Sequence, residues 1–146
     1  MTDFSHLGKL QVTSSSTAEY EIIEIEVGDV SPTLILTVTG ESNKGYFNAL
    51  LRATGQGNGQ RRGKLKVNTK AMEEMRGWDR DLFPDHVIVG WKNMTDANGK
   101  DVKFSVAACK DFIAALPNWI FDGVRAYASD PENFVASIDS EGKAKN

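Results

Sequence analysis

Closely spaced glycines beside basic side chains are what let backbone amides and a lysine cradle a phosphate. Residues 55–66, GQGNGQRRGKLK, have that composition. The spacing does not fit a P-loop. Five residues separate Gly57 from Gly63-Lys64 where the P-loop has four, and Lys64 is followed by Leu65, where a metal-binding Ser or Thr is needed. Gly55-x-Gly57-x-Gly59 also misses the dinucleotide fingerprint, and it follows a predicted helix instead of a strand. Arg61, Arg62, Lys64, Lys66 and Lys70 are left as a basic cluster that can touch a phosphate backbone or an acidic partner, or simply be solvated.

Acidic residues near a histidine suggest metal chemistry, and Asp79, Asp81, Asp85 and His86 lie close together in the chain. On a helix, two residues apart means roughly 200° apart, so Asp79 and Asp81 cannot converge on one ion without a break. Cys109 is the one cysteine. It falls on the apolar face of a predicted helix, where a thiol stays protonated and inert, and alone it makes neither a disulfide nor a cysteine-based zinc site. No G-x-S-x-G elbow occurs. The chain therefore reads as a non-enzyme with no cofactor and no metal.

Aromatic side chains carry binding energy out of proportion to their number, and the candidates are Trp78, Trp91, Trp119, Phe112, Phe121 and Phe134. Most belong to a core. Trp119, Ile120 and Phe121 are consecutive on a predicted helix and cannot all face one interior, so at least one ring must lie outside. The partner-binding set expected from sequence is Trp119, Phe121 and Phe134, with Arg61, Arg62 and Lys64 from the basic loop.

The composition limits what can position these residues. A chain of 146 residues is long enough for one domain with a real core. The net charge of −3 does not suit a protein whose whole surface tracks nucleic acid or an anionic membrane. No stretch approaches the roughly 20 apolar residues of a membrane span, and MTDFSHLGKL has no signal-peptide core. A reducing cytoplasm is the expected setting.

The periodicities predict an α+β fold: an N-terminal β-hairpin, helices, then a second β-hairpin followed by two to three short helices. Residues 1–19 read as a flexible arm, 20–138 as one domain with a mobile loop at 55–66, and 139–146 as a frayed tail. In YEIIEIEV, Ile23, Ile25 and Val27 alternate with glutamates as one face of a strand, and Thr33 to Thr39 is its hairpin partner. Tyr46, Phe47, Leu50, Leu51 and Thr54 form a helical stripe capped by Ser42 or Asn43 and ended by Gly55. Ala71, Met75, Trp78 and Leu82 predict the inner face of a second helix, limited by Pro84. Val87, Val89 and Trp91 share one side of a strand, with Ile88 on the other. Asn98-Gly99 predicts a type I′ turn, with Val102 and Phe104 on the return strand. Ser105 caps a helix bearing Val106, Cys109, Phe112, Ile113 and Leu116, and Pro117 stops it. Asn118 then caps a helix bearing Ile120, Val124, Tyr127 and Ala128, and Asp130-Pro131 starts a last turn.

In this order, these signals resemble the C-terminal half of tail assembly chaperones of long-tailed bacteriophages. The matching positions are Gly90-Trp91, Asp96 with Gly99-Lys100, Lys103-Phe104-Ser105, Leu116-Pro117, Asp130 and Asn133-Phe134. Asn43, Tyr46, Ala49, Leu50 and Arg52 are similar to an earlier helix of the same family. The first 40 residues carry no such signature, and the Gly-rich loop replaces a more compact basic segment. The resemblance implies a protein that binds the tape-measure protein in the host cytoplasm, keeps its apolar stripes soluble and recruits tail-tube subunits. It also implies absence from the mature virion. A homo-oligomer is compatible with this, and membrane or nucleic-acid partners are not expected. Two alternatives stand beside it: a structural virion component of the tail or head-tail connector, and a small nucleic-acid-binding regulator acting through Arg61, Arg62, Lys64 and Lys66.

Overall fold

The computed structural model describes residues 2–13, 15–26, 30–55 and 69–135. Three strands, β1 (Thr17–Glu21), β2 (Thr33–Thr37) and β3 (Ile88–Lys92), form an antiparallel sheet in the order β1-β2-β3. The helices are α1 (Lys44–Thr54), α2 (Thr69–His86), α3 (Val106–Ala115), α4 (Asn118–Ala128) and a last helical turn, α5, over 131–135. The core lies between one face of the sheet and these helices. Ala18, Leu34, Leu36 and Ile88 from the sheet join Tyr46, Phe83, Cys109, Ile113, Phe121, Val124 and Phe134 in one buried cluster. Gly123 permits the close approach of α4 to β1, since a Cβ there would sit 3.0 Å from the Tyr20 hydroxyl.

The first hairpin forms, but its first strand lies earlier than expected: β1 ends at Glu21, so Ile23 and Ile25 fall outside it, and Val27 lies outside the described residues. Adjacent Ile22 and Ile23 offer both phases of a period-two pattern, and pairing decides between them. Ala18 lies opposite Leu36 and Tyr20 opposite Leu34, which carries Ile22 into the core and leaves Ile23 70% exposed. The strand also starts within the stretch read as a loose arm. It is held there by the Lys92 Nζ to Glu19 Oε2 ion pair at 2.6 Å and by a 3.2 Å hydrogen bond from the Tyr127 hydroxyl to the Glu19 carbonyl. Upstream, Ser5–Leu10 forms a 3-10 helix with no buried residue.

The second hairpin does not form as a strand pair. β3 pairs with β2 instead, and the return segment keeps one isolated bridge, Thr95 to Asp101. Asp96 explains the tight loop. Its carboxylate accepts from the Asn98 and Lys100 amides, and its carbonyl accepts from the Gly99 amide at 3.0 Å. Gly99 has φ +82° while Asn98 is not in the left-handed region, so the type I′ turn gives way to a type I turn closed by a left-handed glycine. A bulge corrects the face of β3 as well. Ile35 pairs with Gly90 and Leu36 with Ile88, which leaves Val89 unopposed and 50% exposed. Ile88 and Trp91 therefore share the core side.

The helix ends follow local chemistry. Asn43 caps α1 by accepting from the Tyr46 amide, and Gly55 ends it at φ 71°. The same Asn43 amide donates to the His86 carbonyl at 2.9 Å and to Thr37 Oγ1 at 3.1 Å, tying α1 to β2 and the end of α2. Ser105 caps α3 by accepting from the Ala108 amide at 3.0 Å. Asn118 is the first residue of α4 and not its cap, a place taken by Pro117. Pro84 does not end α2, which continues to His86, with the Val87 amide still bonded to the Phe83 carbonyl.

Candidate interaction surface

The sequence-predicted site residues separate sharply. Trp119, in the first turn of α4 just after the Leu116-Pro117 break, is 65% exposed. Phe121 and Phe134 are fully buried, which corrects their expected role: neither ring can meet a partner while this fold is intact. Phe121 packs edge-on to Phe83 at 5.4 Å under the Arg80 guanidinium, and Phe134 lies 6.3 Å from the ring of Tyr127. Of the three consecutive residues at the start of α4, Trp119 is the one left outside. Arg61, Arg62 and Lys64 lie outside the described residues.

The inner face of α2 is charged, against the expectation that Ala71, Met75, Trp78 and Leu82 would form it. Arg76, Asp79, Arg80 and Phe83 face inward and meet α1, α3 and α4. The buried Asp79 carboxylate accepts from the Tyr46 hydroxyl and from Arg125 Nε, both at 2.7 Å. Asp122 takes two hydrogen bonds from Arg76 at 2.9 Å and one from Arg125 at 3.1 Å. These contacts hold the Asp122 carboxyl below its ordinary pKa, through the hydrogen bond from Arg76 first. Burial, and then the hydrogen bond to Asp79, push the Tyr46 phenol far above its ordinary value. Arg80 reaches the carbonyls of Ile113 and Leu116 and the side chain of Asn118, supplying donors to the last carbonyls of α3, which helix geometry leaves unpaired. No buried side-chain polar atom lacks a partner among the described residues.

This network joins four helices; Arg76, Asp79, Asp122 and Arg125 spend their charges on one another and Arg80 is spent on carbonyls and Asn118, so the network positions α4. A local signal for it was present: Arg76-x-x-Asp79-Arg80 and Asp122-x-x-Arg125 put opposite charges on one face of each helix. Because both arginines turn inward, the outer side of α2 keeps its acids, and the methionines lie exposed on the flank between those acids and the buried side. Met72 is 49% and Met75 39% exposed.

The other chemical candidates fall where burial puts them. Cys109 is buried on α3, and its thiol is pushed up to about 12 by desolvation first and by Asp85 second. Asp79 is buried while Asp81 is exposed on the other side of the helix. No group of three metal-ligating side chains occurs among the described residues, nor is any described helix long and apolar enough to cross a membrane.

The residues that carry the family likeness do structural work throughout. Asn43 and Ser105 cap helices, Asp96 and Gly99 shape a turn, and Trp91 Nε1 donates to the Val102 carbonyl at 2.8 Å. Asp130 accepts from the Glu132 amide, and Asn133 donates to the Tyr127 carbonyl at 2.9 Å.

Comparison with curated proteins and with solved structures gives no match. A family model described as YdaY prophage protein matches residues 41–146. The match begins two residues before the Asn43 cap and takes in every position of the resemblance, leaving β1 and β2 outside it. With most of its length covered, the chain belongs to the YdaY prophage protein family.

Proposed function

We propose that the chain is a non-catalytic tail assembly chaperone. It binds the tape-measure protein, shields the apolar stripes of that long helical chain and gives way to tail-tube subunits, acting in the host cytoplasm and leaving before the particle is complete. The observation that carries this reading is Trp119: a large ring held 65% exposed at the start of a well-packed helix whose next two residues are buried. An exposed aromatic on a rigid element is the usual anchor of a protein interface, because ordering it on binding costs little. Prophage origin and the ordered run of matching positions from Asn43 to Phe134 supply the setting.

The test is co-expression with a phage tape-measure protein. The soluble fraction of that protein should rise, and Trp119→Ser should weaken the pull-down roughly tenfold or more, as expected for an interface anchor. Particles from an induced lysogen provide a second measurement by mass spectrometry. Finding this chain in them at the copy number of a structural subunit would reject the chaperone and assign it to the virion.

A further inference from the structure

We infer that the flank of α2 carrying Met72, Met75 and Trp78, between its buried side and its exposed acids, is a docking strip for a basic amphipathic helix of a partner protein. The inference deepens the binder reading above and rests on it for the identity of the partner. At 3.6 residues per turn these three side chains span about 120° of the helix. Met72 lies in line with the buried Phe83 yet is half exposed, because the first two turns of α2 hold no buried residue. Methionine suits such a surface, since its flexible thioether adapts to irregular partners.

Charge selects the occupant. The exposed acids of α2 are Glu73, Glu74, Asp81 and Asp85, against Lys70 as its exposed base. Arg76 and Arg80, which would otherwise neutralise them, point inward to Asp122 and to the end of α3. Asp85 is partly offset by Lys110 at 3.7 Å. Glu74 and Asp81 are one heptad apart and run along the edge of the strip beside Trp78, the position from which coiled-coil partners are chosen. A partner helix with Lys or Arg flanking an apolar seam is attracted there. A second copy of α2 would set acid against acid.

The probes are two synthetic 18-residue helices, one of Leu and Lys and one of Leu and Glu in the same pattern, titrated into full-length protein. The chain has four methionines, so 13C-methyl labelling reads the site directly, with buried Met94 as the internal control. The Leu/Lys helix should shift the Met72 and Met75 methyl signals and leave Met94 unmoved. Met72→Gln with Met75→Gln should weaken binding roughly tenfold, and Glu74→Lys with Asp81→Lys should reverse the preference between the two helices. Equal binding of both helices, or silent Met72 and Met75 signals, overturns the proposal. A dimer in sedimentation that the double methionine variant abolishes also overturns it, giving the strip to a second copy. Binding that emerges only when residues 56–66 are replaced by a Gly-Ser linker assigns the strip to this chain's own basic stretch instead. If the methyl signals respond but the tape-measure protein stays insoluble on co-expression, the strip stands and the chaperone reading falls; the converse pair of results separates them the other way.

Discussion

Asp79→Ala probes the junction on which the helical layer depends. The substitution leaves Arg125 Nε, on a side chain only 20% exposed, without its 2.7 Å carboxylate, and it leaves the buried Tyr46 hydroxyl without an acceptor. Removing one partner of a buried ion pair costs about 3–5 kcal/mol, and orphaning a buried hydroxyl costs about 1–3 kcal/mol. The two losses share one carboxylate and are not additive. Arg125 also keeps Asp122 at 3.1 Å, so the expected total is about 4 kcal/mol, from the lower part of those ranges. For a chain of this size that lowers the thermal midpoint by roughly 8–16 °C. Urea and thermal unfolding followed by circular dichroism measure it. Asp79→Asn, which keeps an acceptor for Tyr46 but loses the charge, should fall between the parent and Asp79→Ala. Tyr46→Phe should cost about 1 kcal/mol in the parent and less in the Asp79→Ala background. A loss below about 1 kcal/mol for Asp79→Ala would show that water replaces the carboxylate and that the ion-pair argument is wrong.

Phe121→Ala, which empties a fully buried site between Phe83 and Arg80, should cost about 3–5 kcal/mol, whereas Trp119→Ser two positions away should change stability by less than about 0.5 kcal/mol; denaturant midpoints compare them. In an alkaline titration followed by tyrosinate absorbance, Tyr46 should stay protonated until the protein unfolds. Its folded pKa lies above the ordinary 10.0, so its contribution is intact below pH 10 and is lost as pH rises above that; Tyr46→Phe should remove that part of the alkaline slope. The Cys109 thiol, buried and pushed up to about 12, should react with iodoacetamide at pH 8 only as fast as the protein opens, with a rate that rises in step with mild urea. Labelling as fast as a free thiol would contradict the burial.

How much of this was legible in the sequence depends on how far each signal has to reach. Asn43, Gly55 and Ser105 were readable because a cap is completed by an amide or a backbone angle within three residues. That at least one of Trp119, Ile120 and Phe121 must lie outside was readable from helical rotation alone; that it is Trp119 was not. The identity of the buried pair was not readable. Phe121 and Phe134 looked as available as Trp119 until Phe83, Arg80 and Tyr127 closed around them.

The strands and α2 show the same division more strongly. The alternation of Ile23, Ile25 and Val27 placed the first strand too late; β1 is Thr17–Glu21, where Ala18 and Tyr20 pair with Leu36 and Leu34 across the sheet. The bulge at Val89 depends on β2, some fifty residues away, and no local pattern contains it. On α2 the apolar line Ala71, Met75, Trp78 and Leu82 looked like the inner face because hydrophobicity alone was counted. Asp122 and Arg125 of α4 pair Arg76 and Asp79, and the end of α3 accepts from Arg80, which made a charged face the better one to bury. By itself the sequence determined the two ends of α1 and the start of α3, since those caps are completed by hydrogen bonds or backbone angles between near neighbours. The tertiary structure alone decided which face of each element is inside, because burial is a contract with partners distant in the chain.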